Sequence, residues 1–194
     1  VEEVASIEAW NNNPEQVLAF YNKRRREIAN AVPNSAHYAI AKLEEKYNVT
    51  VVTQNVDDLH EWAGSSNIIH LHGEITKARS ENDDSLTIYD IGHNDLHIGD
   101  LAPDRSQLRP HIVWFGEKVM GMYRAAEAVK KADIMIIIGT SLKVYPAAVL
   151  VDFATRDCRV FLIDPEPIHL SIPKYEHIQK TATEGMYELM KVLL

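Results

Sequence analysis

Cysteine is almost missing from this 194-residue chain: Cys158 stands alone in an apolar run. No disulfide can close within the molecule, and no tetra-cysteine metal site can be built. An apolar run long enough to span a bilayer is absent and Val1 opens no secretion signal. The chain is therefore expected to be cytoplasmic and to have no membrane partner. Long basic runs are absent as well. With 20 Lys and Arg against 28 Asp and Glu, the formal charge of -8 argues against nucleic acid as a primary partner. There is no repeat, no low-complexity tract, and no G-x-G-x-x-G turn of the kind that opens a dinucleotide-binding sheet. What is there is a globular composition, 46% hydrophobic and 25% charged, enough for a sizeable core.

Strand and helix patterns alternate along most of the chain. Asn13-Pro14-Glu15-Gln16 is a helix start, with Asn13 as cap, Pro14 at the first helical position and Gln16 at capping-box spacing. That helix is expected to reach about Ala31, with Val17, Phe20 or Tyr21, Arg24 and Ile28 along one face. A second helix is expected from about Ser35 to Lys46. Val49 to Val52 reads as a buried strand. Two helical turns fit between Val56 and Ala63, closed by Gly64 as a left-handed cap, and a short strand follows from Ile68 to Leu71. Residues 74–109 break the pattern: eight acidic and four basic residues with weak periodicity, too long for an ordinary loop. From Pro110 the alternation resumes, with strands near Ile112 to Trp114, Ile134 to Ile138 and Arg159 to Ile163. Helices are expected at about Met122 to Lys131, Tyr145 to Phe153 and after Thr183. This order predicts an α/β fold with a parallel sheet covered by helices on both faces. Residues 1–73 and 110–194 would form that domain, and 74–109 a small polar insertion.

Chemistry-bearing residues gather at two predicted strand ends. The stretch Thr53-Gln54-Asn55-Val56-Asp57-Asp58-Leu59-His60 follows one, and His70-Leu71-His72-Gly73 the other. Open α/β sheets bind ligands at the carboxyl ends of their strands, so Gln54, Asn55, Asp57 and His72 are expected on one rim. An imidazole with a reference pKa near ~6.5 can accept a proton at neutral pH, which makes His72 a candidate general base; the plainer alternative is a satisfied histidine at a strand end. Asn55 and Asp57 offer a donor and an acceptor suited to a carboxamide, although either would also cap a helix start. Gly139-Thr140-Ser141, between a strand and a helix, permits close backbone approach and offers hydroxyls to a ribose or phosphate. By itself such a segment is more often simply a turn.

The block TQNVDDLHEWAGSSNIIHLHGE strongly resembles the sirtuin family of NAD-dependent protein deacylases. Ile112-Val113-Trp114-Phe115-Gly116-Glu117 and the segment from Ile138 to Ala148 are similar to the same family in the same order. The resemblance implies a Rossmann-like NAD-binding sheet and a reaction in which nicotinamide leaves and the acyl-lysine carbonyl oxygen attacks the ribose carbon. His72 would then deprotonate a ribose hydroxyl, which takes over the acyl group to give acyl-ADP-ribose. Asn55, Val56 and Asp57 would face nicotinamide, and Gln54 its ribose. Gly139, Thr140, Ser141, Val144 and Ala182 match positions near the nucleotide. Asp164 stands where many sirtuins carry Asn; it can accept from ribose hydroxyls but cannot donate. Val113, Phe115 and Gly116 match the strand that binds acyl-lysine protein or peptide substrates, with Phe115 lining the acyl-lysine tunnel. Val1 to Ala5 resembles the segment just after the family's Gly-Ala-Gly loop and Phe-Arg element, so the chain is expected to begin beyond them.

Two departures sharpen the expectation. Tyr21 and Arg24, three apart on a helix, resemble the Tyr-x-x-Arg pair of sirtuins that remove succinyl and malonyl groups, where a guanidinium clamps the acyl carboxylate; the alternative is that Arg24-Arg25-Arg26 is a solvated basic face. Many sirtuins also hold zinc with two C-x-x-C pairs in the stretch corresponding to 74–109, which here has no cysteine. No zinc is expected, and a metal site from His93, His97, Asp90 and Asp95 is disfavoured. Besides deacylation, two other activities fit the scaffold. One is NAD consumption as an ADP-ribosyltransferase or NAD glycohydrolase; the other is non-catalytic binding of NAD or ADP-ribose.

Overall fold

Apolar strands bracketed by capped helices set the architecture, and the elements fall close to where local patterns place them. In chain order they are α1 (Ile7–Asn12), α2 (Pro14–Ile28), α3 (Ser35–Leu43), β1 (Val51–Thr53), α4 (Leu59–Ala63), β2 (Ile68–His70), β3 (Gly73–Ser80), β4 (Ile88–Asp90), β5 (Leu108–Ile112), α5 (Met122–Lys130), β6 (Ile134–Ile138), a 3-10 helix (Ala147–Phe153), β7 (Arg159–Ile163), β8 (Glu176–Ile178) and α6 (Ala182–Leu193). This computed structural model describes residues 4–82, 87–142 and 144–194; Val1 to Glu3, Asp83 to Leu86 in the insertion and Lys143 in the third motif lie outside the described residues. Two compact units result: Val1–Val32, Thr53–Leu59 and His70–Met120 form one, and Pro33–Val52, His60–Ile69 and Gly121–Leu194 the other.

In the first unit, α2 starts as its sequence dictates: the Asn13 side chain accepts from Gln16 N, and Pro14 occupies the first turn. Its buried stripe differs from the expected one. Val17, Leu18, Tyr21, Asn22 and Arg25 face inward, whereas Arg24 is exposed. Arg25 can be buried because two of its three guanidinium nitrogens find acceptors: Nε donates to Ile75 O (2.8 Å) and Nη1 to Asn22 Oδ1 (2.7 Å), while Nη2 has no hydrogen-bond partner among the described residues. Even so, burial brings its pKa down to about 10. Asn22 in turn clamps the main chain of Leu96 in both directions, donating to its carbonyl (2.8 Å) and accepting from its N–H (3.0 Å). The polar stretch after Gly73 is thus tied to α2 by side chains that also look solvent-compatible in sequence.

That stretch forms an antiparallel sheet in the order β4-β3-β5, with Ala78 opposite both Tyr89 and Pro110. The strand expected near Ile112 to Trp114 begins earlier, at Leu108, and ends at Ile112. Pro110 is tolerated because β5 lies at the edge of the sheet, where a missing N–H costs no ladder bond. Gly73, at φ +86, lets β3 approach β5 so closely that a Cβ there would lie 2.0 Å from His111 O. Trp10, Val17, Leu18, Tyr21, Ile75, Ala78, Leu96, Ile112 and Trp114 make the core of this unit.

The second unit carries the parallel sheet β6-β7-β8. Strands β6 and β7 are apolar at successive positions, so both faces need cover. Ile136, Ile138, Phe161 and Ile163 face a cluster that includes Ala36 and Leu43 of α3 and Met186 and Leu189 of α6. Ile137, Val160 and Leu162 turn the other way, onto Val151 of the 3-10 helix and Cys158. The helix expected from Tyr145 to Phe153 is therefore shorter and tighter. Its β-branched Val149 and Val151 suit a brief 3-10 turn better than a full α-helix. Gly64, at φ +101, closes α4 as anticipated, with Ser65 N on His60 O. No helix among the described residues is long and apolar enough to cross a membrane.

Candidate functional site

Two of the residues expected on one rim, His72 and Gln54, meet within the first unit. His72 follows β2, and its Nδ1 lies 3.1 Å from the main-chain oxygen of Gln54, just beyond β1. A carbonyl only accepts, so in the neutral ring Nδ1 carries the proton and Nε2 keeps its lone pair. That leaves a base aimed by its own tautomer. Burial lowers the His72 pKa below 6.5, offset in part by the bond to Gln54. The ring is therefore neutral, and basic, at physiological pH. Its main chain is held as well: Val113 N donates to His72 O (2.9 Å), and Leu71 N to Thr53 O (3.0 Å).

The neighbouring loop is built from its own short-range bonds. Asn55 N donates to Thr53 Oγ1 (3.0 Å), and Val56 O accepts from Ile75 N (2.8 Å). Asp57 Oδ1 accepts from Leu59 N (3.2 Å), so the capping role weighed from sequence is present. The Asn55 side chain stands exposed, while Gln54, Val56 and Asp57 are half-buried. In the same loop Asp58 Oδ1 is buried with no hydrogen-bond partner among the described residues.

Trp114-Phe115-Gly116-Glu117 is a tight turn rather than a continuing strand. Glu117 N donates to Trp114 O (3.0 Å), and Gly116 supplies the positive φ of +88 that the third position of a type II turn requires. Trp114 is the core aromatic at 1% exposure, and Phe115 stands out at 57%. The N–H groups of Val113, Trp114 and Phe115 already donate to His72 O, Glu117 Oε2 and Ala5 O. A peptide added along this stretch would find main-chain acceptors before donors.

Tyr21 and Arg24 sit in different surroundings. Tyr21 is buried, Trp114 Nε1–H donates to its oxygen (3.0 Å), and burial pushes its pKa up to about 12. Its own O–H therefore stays a donor. Arg24 is at the surface, bonded to Glu27 (3.1 Å) and lying 5.6 Å over the Phe20 ring.

The remaining candidates lie in the second unit, following β6 and β7 and at the start of α6. Among the described residues a Cβ on Gly139 would meet nothing within 4 Å, which leaves room beside the strand end. Thr140 Oγ1 accepts from Leu142 N (3.2 Å); Val144 is exposed. Asp164 follows β7 and accepts from Glu166 N (2.9 Å), and Ala182 is the first residue of α6. An open strand end with hydroxyl and carboxylate groups fits a ribose in the place where parallel sheets bind nucleotides.

A model of the Sir2 family matches residues 1–146. The chain is 50% identical over 193 residues to an NAD-dependent protein deacylase of Helicobacter pylori, spanning 99% of this chain and 83% of that protein.

The chain belongs to the Sir2 family.

A deacylase of the same description from Bacteroides thetaiotaomicron is 47% identical, over 100% of this chain and 85% of that one. Among solved structures, a Sir2 homologue in complex with NAD superimposes with a TM-score of 0.87 at 37% identity, covering 99% of this chain and 77% of that one. Sir2 bound to acetylated peptide gives 0.83 at 28% identity, over 98% and 83%.

Within this Sir2 chain, sequence reasoning missed the buried polar set of the first unit. Asn22, Arg25, Arg79, Arg109 and His111 are all below 9% exposed. No local signal distinguishes Arg25 from its neighbours Arg24 and Arg26; only the acceptors brought by β3 do. The four insertion residues weighed as metal ligands are engaged separately. His93 faces Asp58 (4.0 Å), His97 faces Asp100 (3.7 Å), Asp90 accepts from Gly92 N (2.9 Å), and Asp95 pairs with Arg26. Instead, Ser80 Oγ donates to Asp104 (2.7 Å) and Asn82 to Ser106 Oγ (2.6 Å), joining the two sides of the insertion.

Proposed function

We propose that this chain is an NAD-dependent protein-lysine deacylase that removes acyl groups, succinyl and malonyl as well as acetyl, from lysine in protein or peptide substrates. The products are nicotinamide and O-acyl-ADP-ribose. The observation that carries the reading is the His72–Gln54 bond, which ties the ring to the loop leading into Asn55 and Asp57 and leaves Nε2 as a base. NAD supplies the electrophilic ribose carbon once nicotinamide departs. His72 Nε2 takes the proton of a ribose hydroxyl. Asn55, Val56 and Asp57 hold the nicotinamide side, and Gln54 its ribose. Gly139, Thr140, Ser141, Val144 and Ala182 line the nucleotide, with Asp164 accepting from ribose hydroxyls. Val113, Phe115 and Gly116 meet the acylated peptide.

In this reading 1–73 and 110–194 are the nucleotide-binding domain and 74–109 an insertion held without zinc, supported by the Ser80–Asp104 and Asn82–Ser106 bonds. A lone cysteine kept as a thiol suits the cytoplasm.

Incubation with NAD and a succinyl-lysine peptide, read by mass spectrometry, tests the activity. Removal of succinyl that needs NAD is expected. Nicotinamide release indifferent to peptide would instead mark an NAD glycohydrolase, and binding without turnover a non-catalytic module.

The acidic-acyl preference has its own test. Arg24 is held by an exposed ion pair of the kind worth little, about 0–1 kcal/mol, so it can exchange Glu27 for a ligand carboxylate. Arg24→Met should reduce kcat/KM for succinyl-lysine at least about tenfold more than for acetyl-lysine, the size of a lost charge-assisted contact. Equal losses on the two peptides rule the clamp out.

A further inference from the structure

Behind the Phe115–Gly116 turn lies an ionic cluster that the reaction itself does not use. The Glu117 side chain, 16% exposed, accepts from Arg109 Nη1 (2.8 Å), Arg109 Nη2 (3.0 Å) and Arg79 Nη2 (3.2 Å). It also accepts from the Trp114 main-chain N–H (2.7 Å). Arg109 is held in turn, donating to Ile112 O (3.1 Å) and lying 3.4 Å over the Trp114 ring. Burial works to raise the Glu117 pKa, but the donors on Arg109 and Trp114 and the charges of both guanidinium groups outweigh it and hold it low. Glu117 therefore stays anionic, with its carboxylate at the meeting point of turn and sheet.

We propose that Glu117 is a positioning residue for the acylated peptide: by tying the Trp114 N–H at the head of the turn to buried Arg109 and Arg79, it sets the orientation in which Phe115 and Gly116 meet substrate. The inference rests on the reading of 113–116 as the peptide-binding edge. The physical reason is geometric. A four-residue turn has one closing main-chain bond, Glu117 N to Trp114 O, which leaves its tip free to pivot. The carboxylate adds a second closure at the same two residues, and the bidentate arginine fixes the direction of that closure. Any pivot would also reach Val113, whose N–H holds the His72 carbonyl.

Glu117→Gln keeps the size and one acceptor but removes the charge; Arg79→Gln is a milder loosening of the same cluster. Steady-state rates with peptide varied at saturating NAD should show peptide KM rising about tenfold in Glu117→Gln, as for the loss of one charge-assisted bond. The change in kcat should be smaller, Arg79→Gln should shift KM in the same direction by less, and KM for NAD should stay put. A purely structural role would lower kcat with the folded fraction and leave peptide KM alone, and that result overturns the proposal. Phe115→Ala separates the two layers of argument. If it leaves peptide KM unchanged, the peptide-edge reading fails; if it raises KM while the folded Glu117 and Arg79 variants do not, Glu117 alone loses its role. Should Glu117→Gln not fold, an unchanged KM in Arg79→Gln decides against it.

Discussion

Replacing His72 by alanine will lower deacylation turnover about 10²–10⁴-fold, the range that a positioned general base contributes. The loss should fall on kcat, because the residue is argued to move a proton rather than to hold the peptide. The measurement is steady-state deacylation by mass spectrometry, with ADP-ribose binding by calorimetry alongside. Binding that survives while turnover falls is the expected pair, and turnover within a few-fold of the parent would remove His72 from the chemistry. The pH profile adds a sign. The catalytic form is the neutral ring, and burial places the His72 pKa below 6.5. The acid limb of kcat/KM should accordingly fall off below pH 6.5, with a plateau above it. The same depression means that the unfolded chain binds the proton more readily than the native one, so stability from this residue declines as pH drops through that window. An acid limb centred above pH 7 would contradict both statements.

The second large effect is steric. Gly73→Ala places a methyl 2.0 Å from His111 O, 2.9 Å from the His111 carbonyl carbon and 3.0 Å from Ile112 Cα, all backbone atoms of β5. No rotamer change relieves a clash with backbone. The residue also sits at φ +86, which costs an L side chain roughly 1–2 kcal/mol by itself. With the strand displacement added, a loss of about 2–5 kcal/mol is expected, a large part of the stability of an ordinary domain. Gly99→Ala is the control: φ +96, yet nothing among the described residues within 4 Å of the added carbon. Urea midpoints for the two variants should differ widely. Equal midpoints would mean that the close approach of β3 to β5 is not what requires glycine there. Activity should suffer too, since Gly73 follows His72 and the β3–β5 pairing begins at Gly73 opposite Ile112.

Much of this was legible in the residues alone. Asn13-Pro14 marked a helix start and Gly64 a helix end, because caps depend on a handful of neighbouring backbone groups and no distant partner. The runs Ile134–Ile138 and Arg159–Ile163 announced a sheet covered on both faces, since apolar side chains at successive positions point to both faces and each face needs burial. The His72 motif was readable as a family pattern, because its residues are contiguous in the chain. Other features were not readable. Residues 74–109 looked like an irregular excursion because β3 is buried at consecutive positions, including Arg79 and Ser80, which erases the alternation that betrays a strand. The stripe of α2 was misjudged at Arg24 and Arg25, since which arginine goes inside is decided by Ile75 O, fifty residues away.

Local chemistry thus determined where most of the helices and strands begin and which strands are apolar on both faces. Tertiary structure decided the rest: the tautomer of His72, the burial of Arg25, and the closure of the Trp114–Glu117 turn by Arg109 and Arg79. The dividing line is physical. Caps, turns and hydrophobic period arise from interactions within a few residues and are written in order along the chain. A hydrogen-bond acceptor for a buried charge, or a carbonyl that selects one ring nitrogen, exists only after distant segments have been packed together.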